Sequence, residues 1–363
     1  MRVLHIMASA ARGGGAEHLM GLLPALREFG VASEVAVGAD GPLAERLARD
    51  GFAVHPINLL RSRMDLGAAL RLARLLRRTA PDLVHHHGTR AAFFGALARR
   101  LGARMPAVYT VHGFSHRRTG PWRRLFFAAE RFACRGLAGL VSVSAADRDE
   151  AVRNGFVAAN DALHVPNAVD TRRFGPGGRV DARRRLGLPA DRVIVGTVSR
   201  LVLLKGVDTL ITAVSLCPNI HLVIAGDGPE RPALERKAEA VRGRVTFLGM
   251  RDDVPEVLRA FDVFALASRW EGEGVALLEA MATEIPCVAT ETSGAHEVLA
   301  GTNAGIVVEQ GSAAALATAF GRLRDDSGLR DSMGRAGRVA VSSRSWSDGA
   351  SRLAAFYEEV LRK

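Results

Sequence analysis

The chain has 363 residues, 48% of them hydrophobic and 24% charged, which is enough apolar material for two domains and excludes a disordered or fibrous polypeptide. No run of about 18 apolar residues occurs, so no membrane-spanning helix is expected. Three scattered cysteines (Cys134, Cys217, Cys287) with no CxxC pair argue against a disulfide framework or a structural zinc. Lys and Arg number 49 against 38 acidic residues, a net charge of +11. Residues 1–170 hold 23 arginines and 14 acids, a balance of +9, which leaves 26 against 24, or +2, for the remainder. That asymmetry points to an anionic partner of the first half: a phosphorylated substrate or a membrane surface. No nucleic-acid-binding motif accompanies the charge, and no nucleic acid partner is expected.

In chain order, Val3–Met7 reads as a buried strand, because its apolar run is too short for a leader and contains His5; the protein is expected in the cytoplasm. Ala16–Phe29 has Leu19, Leu22, Leu23 and Leu26 at helical spacing. Strands at 33–37, 54–57, 83–85, 107–111 and 139–142 alternate with helices at 43–50, 66–79, 91–100 and 122–134. A short strand at 163–165 ends at Pro166-Asn167, and Gly175-Pro176-Gly177-Gly178 has the chemistry of a linker. Strands then recur at 193–198, 221–225, 245–247, 263–267, 287–289 and 305–307, with helices between them. Alternation of this kind predicts βαβ units and parallel sheets. The fold class expected is α/β, with two doubly wound Rossmann-like domains facing a central cleft. The domains are placed at 1–168 and 169–345, with a final helix over 346–362 that periodicity alone leaves unassigned to either.

Open parallel sheets bind ligands beyond the carboxyl ends of their strands, so the loops there are the candidates. Gly13-Gly14-Gly15 follows the first strand and opens the first helix, where backbone N–H groups favour an anion. The spacing is not that of the dinucleotide fingerprint. Arg200 and Lys205 follow the strand at 193–198 and suit a pair of phosphates. Gly228 lies in a Gly-Asp-Gly-Pro turn after the next strand. The most specific unit is Ser268–Ala282. Gly272 and Gly274 turn the chain into a helix beginning near Val275, whose N–H groups can hold a diphosphate without a metal. Glu279 lies just over one turn inside that helix, placed to chelate a diol, and Glu271 precedes it.

These motifs, with Thr110-Val111-His112-Gly113, Pro166-Asn167-Ala168-Val169-Asp170 and Ser293-Gly294-Ala295-His296-Glu297, resemble in order and over nearly the whole chain a family-four retaining glycosyltransferase of the GT-B fold. The resemblance implies transfer of a sugar from a nucleotide diphosphate sugar to an acceptor hydroxyl, with no cofactor and no metal. It implies diphosphate binding by Arg200 and Lys205, ribose binding by Glu279, and sugar contacts by Glu271 and His112. Gly14 and Gly15 would shape the donor wall, and Gly228, Gly274 and Val275 would join the donor site. The final helix would cross back to the first domain. Three positions depart from the family pattern: Glu273 between the two glycines, Glu284 before Ile285-Pro286, and Ser293. Glu273 would repel a diphosphate unless it faces away or meets a cation. It motivates one alternative, a non-catalytic sugar-nucleotide-binding partner subunit; a sugar-nucleotide epimerase of the same fold is another.

His85-His86-His87 ends a first-domain strand. Neighbouring strand residues point to opposite faces, so the run is not read as a metal cluster; His87 is expected instead to hydrogen-bond the acceptor. Arg117 opens a stretch, 117–127, in which arginines alternate with Trp122, Phe126 and Phe127, and it is assigned to the acceptor. With Arg71, Arg74, Arg77 and Arg78 it suggests a saccharide or glycolipid acceptor at an anionic membrane, reached by the N-terminal domain from the inner face.

Overall fold

The computed structural model describes residues 1–59, 65–114 and 122–363. The chain divides into two compact units, one of residues 1–167 with 346–363 and one of residues 168–345.

In the first unit the elements are β1 (Arg2–Met7), α1 (Gly14–Glu28), β2 (Ala32–Val37), α2 (Pro42–Arg49), β3 (Ala53–Pro56), α3 (Leu66–Thr79) and β4 (Leu83–His87). There follow α4 (Thr89–Arg100), β5 (Ala107–Val111), α5 (Arg123–Cys134), β6 (Gly139–Ser142), α6 (Ala145–Arg153) and β7 (Ala162–His164). The described strands form one parallel sheet in the order β3-β2-β1-β4-β5-β6-β7. In the second unit α7 (Arg179–Leu186), β8 (Val193–Val198), α8 (Val207–Leu216), β9 (Ile220–Ala225), α9 (Arg231–Ala238), β10 (Val245–Gly249) and α10 (Val254–Arg259) come first. Then come β11 (Val263–Leu266), α11 (Val275–Ala282), β12 (Cys287–Thr290), α12 (Ser293–Leu299), β13 (Gly305–Val308), α13 (Ala313–Asp325) and α14 (Ser327–Ser342). Its sheet is also parallel, in the order β10-β9-β8-β11-β12-β13.

Both orders begin in the middle, run to one edge, then jump back and run to the other. The jump puts β4 beside β1 and β11 beside β8, and these are the topological switch points at which doubly wound sheets bind ligands. The strand sequences explain the burial. IHLVIA of β9 and VFAL of β11 are covered on both faces throughout, as strands sandwiched between helix layers must be. β4 is longer than the sequence suggested: it continues through His86 and His87, and all five of its residues are buried. The first helix starts at Gly14, two residues before the expected start, because Gly14 and Gly15 themselves adopt helical backbone.

The closing helix α15 (Trp346–Arg362) belongs to the first unit. Its Leu353, Phe356, Tyr357 and Val360 share one core with Leu19, Leu22, Leu23 and Leu26 of α1. Each such side chain removed from water contributes roughly 1.5–3 kcal/mol. Trp346 lies directly over Gly21, where an added Cβ would meet the indole at 2.1 Å.

One buried ion pair braces the second unit. Asp262, just before β11, accepts from the Arg183 guanidinium, from the Ile194 backbone N–H at 2.7 Å and from Arg179 at 2.9 Å. It therefore ties α7 and β8 to the root of β11. Replacing one member of a buried pair strands the other charge. We expect Asp262→Ala to lower unfolding stability by about 3–5 kcal/mol in urea titration. A change below about 0.5 kcal/mol would show that water replaces the carboxylate at no cost.

Candidate functional site

The second unit gathers its polar side chains at the ends of β8, β9 and β11. After β8 the chain passes Arg200, which is exposed, and makes a short turn through Lys205 into Gly206. Gly206 has φ +62°, and a Cβ there would lie 2.0 Å from the Ala267 carbonyl oxygen. Only glycine allows this turn to dock against the end of β11. The docking sets Lys205 Nζ on the Glu271 carboxylate, which also accepts from Ser268 Oγ at 3.1 Å. Gly228, after β9, donates its N–H to Asp227 Oδ1 at 2.7 Å. Gly274 is the residue before α11 and Val275 its first residue, so the N–H groups of the first turn open from this loop. Glu279 sits in the second turn with 7% of its surface exposed. Arg200, Lys205, Gly228, Glu271, Gly274, Val275 and Glu279 thus all lie on loop ends or the first turns of one unit.

Glu273 meets a cation. Its carboxylate is buried and paired with the Arg344 guanidinium, which removes the repulsion that the sequence raised for a diphosphate nearby. Ser293, where the family pattern has glycine, is the first residue of α12; the Thr292 side chain caps that helix by accepting from the Ala295 N–H at 3.2 Å. The position with no room is the next one, Gly294, whose Cβ would fall 1.3 Å from the Gly272 carbonyl oxygen. α12 therefore lies directly on the backbone of the Glu271–Gly274 loop.

The first unit brings together residues that the sequence did not connect. Gly14 and Gly15 open α1 after β1. On the sheet face beneath α1 and α15, side chains of the three adjacent strands β1, β4 and β5 point the same way. His5 of β1 is in register with His85 of β4, and His87 of β4 with Thr110 of β5. His112 follows two residues after Thr110, and His18 descends from the second turn of α1. The rings are in mutual contact: His85 stacks on His87 at 4.3 Å between centroids, and His18 meets His112 edge-on at 4.9 Å. His86 alone takes the other face, packed against Gly95 of α4. Alternation along β4 holds; what it could not reveal is that neighbouring strands and a helix supply the remaining imidazoles.

Hydrogen bonds orient these rings. His18 Nδ1 donates to Asn167 Oδ1 at 2.8 Å, which gives the Pro166-Asn167 motif a physical role. His85 is held on both sides, by the Tyr357 hydroxyl and by Thr110 Oγ1 at 2.6 Å. His5 Nδ1 and His87 Nε2 are 3.1 Å apart and share one proton. Burial disfavours the imidazolium: it pulls His5, His86 and His112 down to about 3, and His18 to about 4 against the raising effect of Asn167. His85 and His87 are lowered further by burial and by the neighbouring rings. All six are neutral at physiological pH.

His87, assigned to an acceptor from the sequence, is buried, bonded to His5 and stacked on His85, because β4 runs on through residue 87 instead of ending at residue 85. Arg117 lies outside the described residues. His18, His5 and Asn167 were missed; the nearest signal was polar residues in segments otherwise patterned as core. His112 lies one residue beyond β5, half-buried.

The chain resembles known proteins over most of its length. Residues 12–173 match the model described as Glycosyltransferase Family 4, and residues 179–340 that described as Glycosyl transferases group 1. The chain is 34% identical over 334 residues to the GDP-mannose-dependent alpha-(1-6)-phosphatidylinositol monomannoside mannosyltransferase of Mycolicibacterium smegmatis, with 85% of each chain covered. It is 28% identical over 275 residues to the UDP-Gal:alpha-D-GlcNAc-diphosphoundecaprenol alpha-1,3-galactosyltransferase of Escherichia coli, covering 72% of this chain and 71% of that one. The crystal structure of Anabaena HepE in complex with UDP-glucose matches with a TM-score of 0.86 at 23% identity, covering 99% of this chain and 100% of that one. Two doubly wound parallel units with this structural likeness define an α/β protein of the GT-B fold. The chain belongs to the family-four glycosyltransferases.

The lowered imidazoles make a stability prediction. Between pH 6.5 and about 4 the unfolded chain binds protons at these histidines and the folded chain does not, so stability falls as pH drops through that window. Each histidine contributes up to about 1.4 kcal/mol per pH unit. We expect the melting temperature to be flat above pH 7 and to drop steeply below pH 6. A melting temperature unchanged down to pH 5 would mean that the rings are hydrated.

Proposed function

We propose that the protein transfers a sugar from a nucleotide diphosphate sugar to a hydroxyl of a saccharide or glycolipid acceptor, with retention at the anomeric carbon and without a metal at the diphosphate. One observation carries the reading: Lys205 pairs with Glu271 at the carboxyl ends of the adjacent strands β8 and β11, where the loops also carry Arg200 and the amino end of α11 with Glu279 in its second turn. Cations and helix N–H groups there suit two phosphates, and the carboxylates suit hydroxyls.

In the transfer, the bond from the anomeric carbon to the diphosphate oxygen breaks and a bond to the acceptor oxygen forms on the same face. The acceptor proton leaves with the diphosphate. Negative charge grows on the departing phosphate, and Arg200, Lys205 and the N–H groups near Val275 stabilise it. A phosphate reaching Lys205 competes with Glu271 for the ammonium, which releases Glu271 for the sugar hydroxyls. Glu279 holds the ribose diol. Gly228 and Gly274 line the donor. The Arg344 pairing of Glu273 favours this catalytic reading over a non-catalytic nucleotide-binding subunit. Product analysis without acceptor separates transfer from epimerisation.

A lipid-linked acceptor is supported by the names of two relatives, which act on a phosphatidylinositol mannoside and on a diphosphoundecaprenol-linked sugar. It is also supported by Trp122 and Leu125, which are 65% and 58% exposed beside Arg123 and Arg124 at the start of α5. No helix among the described residues is long and apolar enough to cross a membrane, so we place the protein on the inner face as a peripheral enzyme.

Lys205→Ala and Glu279→Ala should each lower kcat by about 100–1,000-fold with a donor found by screening UDP-, GDP-, ADP- and dTDP-sugars. Near wild-type turnover in both would overturn the site. In sedimentation with liposomes containing anionic lipid at low salt, the wild-type chain should pellet and Trp122→Ala/Arg123→Glu should pellet several-fold less; no binding by wild type counts against the membrane surface.

A further inference from the structure

We propose that His18, His87 and His112 form a three-imidazole site in the first unit for a divalent transition metal ion, zinc in preference. The inference goes beyond sugar transfer and stands whether or not the donor reading holds. One ligating atom from each of the three rings lies within 4.8 Å of the others. His18 Nε2, His87 Nδ1 and His112 Nε2 are all buried and have no hydrogen-bond partner among the described residues. Three buried nitrogens without partners, carried by α1, by β4 and by the residue that follows β5, are costly unless something binds their lone pairs.

The opposite ring nitrogens of His18 and His87 are already engaged in the way that metal-bound histidines require. His18 donates its Nδ1–H to Asn167 Oδ1 at 2.8 Å, which fixes the tautomer with a lone pair on Nε2. When His87 donates from Nε2 to His5 Nδ1, 3.1 Å away, its own Nδ1 carries the lone pair. Outer hydrogen bonds of this type orient ligating imidazoles and raise their basicity. Burial keeps the rings unprotonated, so no proton has to leave before a metal binds.

A second trio, His5, His85 and His87, is also close enough, but His85 spends both nitrogens on Tyr357 and Thr110. It reads as the scaffold beneath the first. Zinc–nitrogen bonds of about 2.0–2.1 Å in a tetrahedral site put the nitrogens roughly 3.3 Å apart, so ring shifts of about an ångström or less close the site. Three neutral imidazoles select zinc, copper, nickel or cobalt over magnesium and calcium. A water or an anionic group is left to complete the coordination. The site shares no residue with the set proposed for the diphosphate.

The test uses the full chain, free of affinity tag and stripped with EDTA. Isothermal titration with zinc should show one ion per chain and a raised melting temperature. His18→Gln and His112→Gln should each weaken binding by at least 100-fold, and Asn167→Ala by about 10–100-fold. His55→Gln, a histidine held by Glu34 at 2.6 Å on the edge of the sheet, should bind as wild type does. Cobalt added to the wild-type chain should give intense visible bands of a four- or five-coordinate nitrogen site. That readout needs no variant and remains decisive if a substitution unfolds the protein. Weak octahedral bands, no stoichiometric zinc, or undiminished zinc binding by the folded His18→Gln/His112→Gln chain would each overturn the proposal.

Discussion

In both sheets the first strand lies beside the fourth, and the connections that follow them leave toward opposite edges. A crevice at the carboxyl ends of those two strands follows from the topology alone. The candidate site residues of either unit are arranged around that constraint. In the second unit the loops after β8 and β11 carry the cations and the helix amino end. In the first unit the glycines after β1 and the histidines of β4 occupy the equivalent place. In the second unit Gly206 and Gly294 let one stretch of backbone lie against another where any side chain would collide. The loops are thereby fixed by main-chain contact, and the charged side chains they carry are preorganised.

Charge in the second unit is balanced by pairing. Lys205 with Glu271 and Arg344 with Glu273 place two ion pairs on one short loop. The two serve different ends. Lys205 and Glu271 are partly exposed, so an incoming anion can exchange with the carboxylate at modest cost. Glu273 is nearly fully buried and its pairing with Arg344 braces the loop from behind. A carboxylate that looked disruptive is in effect a structural group.

The first unit spends polar side chains where a core would normally be aliphatic. Five buried imidazoles and the half-buried His112 gather about β1, β4 and β5, and they are tolerated because each is neutral and most are hydrogen-bonded. Tyr357 of the closing helix supplies one of those bonds, so α15 covers the face and also satisfies it. Local rules broken at one place in a fold are commonly a mark of function, and here the breach is concentrated on the ligand-binding edge of the sheet.

The amino-acid sequence by itself determined the alternation of strands and helices and the loops on which glycines and charges sit. Those signals are local: a period of 2 or 3.6 in apolar residues, and φ-tolerant residues at turns. Glu271 and Glu279 could be placed on one loop–helix unit because eight residues separate them. The partners were another matter. Arg344 is 71 residues from Glu273, His87 is 82 from His5, and Asn167 is 149 from His18. Which strands become neighbours, and so which side chains share a face, is set by packing of the whole sheet and not by any window of sequence. For that reason β4 could be recognised as a strand from its residues, while the cluster its histidines join was decided only when β1, β5 and α1 closed around it.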